Sequence, residues 1–67
     1  MEKLAENLIA LRKARHLSQN AVAEAIHVGI RAYQNYEYGI RIPPLPTAVA
    51  LADLFDVSLD ELVGRER

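Results

Sequence analysis

The chain has 67 residues and a formal net charge of −1, enough length for one domain and too little for an added sensor or catalytic domain. At 51% hydrophobic and 25% charged the composition is that of a globular chain rather than a disordered one. It has no cysteine, which excludes a disulfide framework and a thiolate metal site, and no apolar run long enough to cross a bilayer.

A first helix is expected over about residues 2–15, where Leu4, Leu8 and Leu11 face inward. Acids and bases are threaded through its apolar residues, unlike a signal peptide, so a cytoplasmic protein is expected. Ser18 precedes an alanine-rich stretch and is placed to act as an N-cap. The second helix, about 19–26, carries Val22, Ala23 and Ile26 on one face, and the small Ala23 lets another helix approach closely. His27-Val28-Gly29 interrupts it.

A third helix follows over about 30–37. Its run Val28, Ala32, Tyr33 and Tyr36 marks the inner face, with Tyr33 and Tyr36 read as core residues. Ile30, Arg31, Gln34 and Asn35 form its other edge. Gly39 ends it, since glycine readily takes the left-handed conformation a helix C-cap needs. Pro43-Pro44 and Pro46 bar a restart before about residue 45. The fourth helix, about 45–55, reads LPTAVALADLF and is apolar nearly all round, so it needs cover on more than one side. The fifth, about 59–63, opens on Ser58-Leu59-Asp60-Glu61, a capping-box pattern. Residues 39–44 form the only long irregular stretch, and no repeat or low-complexity segment interrupts the pattern.

Residues 17–39 thus read as two short helices joined by a tight turn, the second polar along one edge. That is the form of a helix-turn-helix, which lays one helix in the major groove of DNA. Flanking residues extend the match. Leu8, Leu11, Arg12, Leu17-Ser18-Gln19, Val22-Ala23, Ile26, Val28, Tyr33, Tyr36-Glu37, Gly39, Pro43, Leu45, Ala52, Val57-Ser58-Leu59 and Leu62 follow in order with matching gaps. On these residues the chain resembles the Cro/C1-type (XRE) helix-turn-helix family of phage and bacterial regulators, over about residues 4–63. The resemblance implies an all-α, five-helix, lambda-repressor-like DNA-binding domain. It would be a single domain over residues 1–67, with the helix-turn-helix at about 18–38. Two positions depart from the pattern. His27 stands where the family usually has glycine, at a site of positive φ that histidine tolerates better than most residues. Gly29 stands where serine often precedes the third helix.

The resemblance assigns roles along the third helix. Arg31 lies near its start, where side chains reach base edges and arginine makes a two-point contact to guanine O6 and N7; the plainer readings are a phosphate contact or a solvated surface group. Gln34 and Asn35 are amides suited to adenine, one aimed at the DNA and the other along its edge. Ile30 either touches a thymine methyl or packs at the turn. Ser18 and Gln19 open the second helix, where amides and the helix dipole favour phosphate. Tyr38 and Arg41 lie in a loop that resembles the family's backbone-contacting loop and would set register. Arg12 and Glu37 are expected to form a structural salt bridge that fixes the angle of the third helix.

Net charge argues mildly against a DNA partner, but its distribution does not. Residues 1–42 carry six bases and four acids, and residues 43–67 carry two bases and five acids. Few cations are available overall, so weak non-specific binding and a modest salt dependence are expected. A chain this short buries only about 60% of its unfolded surface, and the fourth and fifth helices carry apolar residues in excess. A two-fold dimer through Val49, Leu54, Leu59, Leu62 and Val63 is therefore expected, suited to an inverted-repeat operator; the plainer reading is that these residues close the monomer core. His16 and His27 suggest no third ligand, and no catalytic constellation or small-molecule site can be assembled, so neither cofactor nor enzyme activity is expected. The expected function is a sequence-specific transcriptional regulator of double-stranded DNA, most simply a repressor. The alternatives are an antitoxin-type DNA-binding partner of a toxin, or a protein-interaction adaptor on the same fold.

Overall fold

The computed structural model describes residues 2–65, so the outermost positions of the expected 1–67 domain lie outside the described residues. Five helices follow in order: α1 (Glu2–Ala14), α2 (Gln19–Ala25), α3 (Ile30–Glu37), α4 (Leu45–Phe55) and α5 (Leu59–Val63). The last three match the expected bounds, and α1 and α2 each end one residue early.

Local chemistry sets most of these ends. The Ser18 hydroxyl accepts from the Ala21 amide at 3.0 Å and caps α2. Ser58 and Glu61 bond each other's backbone amides in a complete capping box at α5. Pro44 is the N-cap of α4 and Pro46 lies in its first turn, where a missing amide hydrogen costs nothing. Gly39 follows α3 at φ 74°. His27 stands in the α2–α3 turn at φ 60°, with His16 and Asp56 left-handed at the other helix junctions. Three of the four helix junctions thus place a non-glycine residue in a conformation that glycine adopts at no cost.

α1 packs on α3 and α5, α2 packs on α3, and α4 packs on α5. Leu4 and Leu8 of α1, Val22, Ala23 and Ile26 of the α2 region, Tyr33 and Tyr36 of α3, Leu51, Ala52 and Phe55 of α4, and Leu62 of α5 make one core. Leu11 is only half-buried at its margin. Polar ties reinforce the junctions. The Asn7 amide donates to the carbonyls of Glu61 and Leu62, each at 3.1 Å. The Arg15 guanidinium donates to the Phe55 carbonyl at 2.6 Å, a cation at the negative end of α4.

Leu62 corrects the expected dimer face. It is fully buried inside the subunit and unavailable to a second copy. It is the only α5 side chain facing the core squarely, because five residues make little more than one helical turn. Leu54 and Val63 are half-buried against the same core. Val49 and Leu59 remain exposed, joined by Leu45, Ile42 and Ile40, which composition did not single out.

Candidate nucleic-acid interface

The orientation of α3 follows from its buried side. Tyr33, Tyr36 and Glu37 are its buried residues. At 3.6 residues per turn the opposite direction falls on Arg31 and Asn35, one turn apart, and on Tyr38 just past the helix. Arg31 and Tyr38 are exposed and Asn35 is half-buried. Ile30, at the first position of α3, is 37% exposed. Gly29 before it is open, with nothing within 4 Å of the place a Cβ would occupy. The N-terminal turn of α3 thus has Arg31 exposed and Ile30 just over a third exposed.

Gln34 lies on the edge toward α2, and its amide nitrogen donates to Gln19 Oε1 at 3.1 Å. The Gln19 amide nitrogen in turn donates to Glu37 Oε1 at 3.0 Å. Glu37 receives a two-point bond from Arg12, Nε to Oε2 at 2.5 Å and Nη2 to Oε1 at 3.2 Å. Arg12 also donates to the Leu17 carbonyl at 3.0 Å, tying the network to the chain leading into α2. One polar chain thus runs from α1 through the end of α3 and the start of α2 to the flank of α3. The side chains of Gln19 and Gln34 both belong to it. Spacing gives no hint of this, since Gln19 and Gln34 are 15 residues apart and each is an ordinary helix-surface residue type.

Glu37 is the one charged residue buried among those described. Burial alone would raise its carboxyl, but the bonds from Arg12, the closeness of Tyr33 and the Gln19 amide outweigh burial and hold it below the usual carboxylate range. Its bond to Glu37 correspondingly raises Arg12 above its ordinary value. Burial first, and the Glu37 carboxylate second, push the Tyr33 phenol well above its ordinary value. The Tyr33 hydroxyl is buried and has no hydrogen-bond partner among the described residues.

The remaining expected contacts lie around α3. Ser18 is exposed, and its hydroxyl proton is free to donate because its oxygen serves the cap. Arg41 and Tyr38 are exposed in the segment after α3, where the backbone amides of Ile40 and Arg41 both donate to the Asn35 carbonyl and hold the loop against the helix end. Asn20, next to Gln19 and exposed, joins this rim and drew no attention in the sequence. Of the six bases in residues 1–42, Arg12 and Arg15 are engaged within the fold and Lys3 and Lys13 lie on α1, which leaves Arg31 in α3 and Arg41 just after it. No group of residues able to hold a metal ion occurs among the described residues, and none of their helices is long and apolar enough to cross a membrane.

Comparison with known proteins agrees with this fold. The helix-turn-helix family matches residues 8–62. The regulator AnsR of Bacillus subtilis is 40% identical over 62 residues, which cover 92% of this chain and 53% of AnsR. The cryptic phage CTXphi transcriptional repressor RstR of Vibrio cholerae is 36% identical, over 94% of this chain and 56% of its own. The crystal structure of a transcriptional regulator from Listeria innocua superposes with a TM-score of 0.89 at 36% identity, covering 96% of this chain and 60% of that one. The chain therefore spans about half the length of the curated relatives it matches. With the match running from α1 to α5 and the fold shared, the chain belongs to the Cro/C1-type (XRE) helix-turn-helix family of transcriptional regulators.

Proposed function

We propose that this chain binds double-stranded DNA sequence-specifically and regulates transcription, most simply as a repressor, by inserting α3 into the major groove. The observation that carries the reading is the open first turn of α3, with Ile30 and Arg31 exposed beside Gly29, on a helix whose far end is locked by Arg12 and Glu37. Arg31 reads guanine, Asn35 reads a base one turn further on, and Ile30 meets a thymine methyl at the groove edge. Gln34 joins them from the α2 side. Ser18, the backbone of Gln19, Tyr38 and Arg41 hold phosphates and set register. RstR is a repressor by name, and occlusion of a promoter needs nothing beyond tight binding.

Two copies pair across a two-fold axis through Val49 and Leu59, with Leu45 at the rim, and address an inverted repeat. These side chains are apolar and exposed, and they belong to α4 and α5, outside the helix-turn-helix.

Selection from a random-sequence duplex pool tests the reading. The folded protein, incubated with the pool at low and moderate salt, is expected to enrich an inverted repeat with half-site centres about one helical turn apart. A pool that stays random, with the protein folded, overturns it in favour of a protein-contact role.

A further inference from the structure

We propose, on the paired DNA-binding reading above, that Asn7 is a positioning residue: by seating the end of α5 on α1 it fixes the angle between the pairing surface and α3, and so the half-site spacing that two copies accept. α5 is five residues long, with Leu62 its buried residue, and is too short to hold its own direction. Its C-terminal carbonyls need partners from outside the helix. The Gly64 and Arg65 amides donate to the carbonyls of Glu61 and Asp60, at 3.2 and 2.8 Å. The half-buried Asn7 completes the set, giving both hydrogens of its side-chain amide to the carbonyls of Glu61 and Leu62, each at 3.1 Å. Gly64 lies against the same face of α1. It sits at φ 74°, and a Cβ there would stand 2.6 Å from the Lys3 Cβ. Lys3 and Asn7 are four residues apart, one above the other on α1, and together they form a seat for the end of α5.

The same helix holds α3. Arg12, about 7.5 Å beyond Asn7 along α1, carries the bonds to Glu37. α1 packs on both α3 and α5, so it is the common frame of the two. Leu59, on the pairing surface, opens α5. Movement of α5 on α1 therefore turns the two-fold axis relative to α3, and changes where the second copy's α3 meets the duplex. One base pair added between half-sites moves the second by about 3.4 Å and about 34° around the helix. A fixed seat selects one spacing, and a loose one accepts several.

Anisotropy titrations of wild type, Asn7→Ala and Gly64→Ala test this on four duplexes: a single half-site, the selected inverted repeat, and that repeat with one base pair added or removed at its centre. Gly64→Ala disturbs the same seat from its other side. Wild type is expected to lose roughly tenfold or more in affinity when the spacing changes, because the second subunit no longer engages. Both variants are expected to keep wild-type affinity for the single half-site and to lose less than about threefold on the same change. A merely structural Asn7 would weaken half-site binding and leave the spacing preference. A folded variant with the full spacing penalty, or with the half-site loss, overturns the proposal and leaves DNA binding by α3 standing. A wild type indifferent to spacing, or to DNA, overturns the reading beneath it as well. A measurement on the free wild-type protein needs no variant to fold. The side-chain amide protons of Asn7 are expected to exchange roughly tenfold more slowly than those of exposed Asn20, and equal rates would overturn the seat.

Discussion

Arg12, in the first helix, holds Glu37, the last residue of the third, by two hydrogen bonds across 25 residues of sequence. The Glu37 side chain is 1% exposed and that of Arg12 13%. The pair fixes the end of α3 against α1, and α3 is too short to hold its own angle, since isolated helices of this length are unstable in water.

Glu37→Ala leaves the Arg12 guanidinium buried beside an empty space. It is expected to lower stability by about 3 kcal/mol, and to weaken DNA binding through the loss of helix position. Thermal unfolding by circular dichroism checks the first effect. A variant of wild-type stability and helicity that no longer binds would show that Glu37 acts at the DNA itself.

The same pair sets an acid limit. The folded Glu37 carboxyl titrates below the ordinary value of 4.5. The unfolded chain therefore takes up a proton first as pH falls. Stability from this group is complete above the unfolded value and is lost as pH falls through the folded one. Tyr33 acts with the opposite sign. Its folded value lies above the ordinary 10.0, so its contribution is complete below about pH 10 and is lost above it, where the unfolded chain ionises first. The melting temperature is expected to fall on both sides of a plateau, with Glu37→Gln flattening the acid limb and Tyr33→Phe the alkaline one.

Replacing Arg31 and Arg41 in turn tests the proposed reading and anchoring roles separately. Arg31→Ala is expected to cost roughly 1–3 kcal/mol of binding to the selected site and to relax the preference at one position. Arg41→Ala weakens binding to all sequences and lowers the salt slope by about one. With two cations flanking α3, log K against log salt is expected to have a slope near −2 per subunit. Anisotropy titrations at several salt concentrations decide these outcomes.

Replacing Leu62 and Val49 tests the core against the proposed interface. Leu62→Ala opens a cavity in a fully buried site and is expected to cost about 3 kcal/mol without a specific effect on association. Val49→Glu places a charge on an exposed face. It is expected to leave monomer helicity intact and shift sedimentation toward the monomer. Unchanged sedimentation of a dimeric Val49→Glu would move the interface elsewhere, with Ile40 and Ile42 the next candidates.

The helices were legible because their ends are written locally. Ser18, Pro44 and Ser58 each mark a start through a backbone group they satisfy or lack, and Gly39 marks a stop. The face of α3 was legible in outline from Tyr33 and Tyr36, whose burial turns Arg31 outward. The Arg12–Glu37 pair came through family likeness alone, since nothing local joins residues 25 apart. The Gln19–Gln34 bond was invisible for the same reason, and it moves both amides from free surface groups to parts of one network. Leu62 was misread because an apolar residue in a five-residue helix carries too little periodicity to say whether it faces its own core or a partner.

The most direct test is a nuclear magnetic resonance titration of the isotope-labelled protein with the selected duplex. The account predicts that the largest backbone shift changes fall on Ile30, Arg31, Gln34 and Asn35, with smaller ones at Ser18, Gln19, Tyr38 and Arg41. Changes confined to α4 and α5, with α3 unmoved, would contradict it.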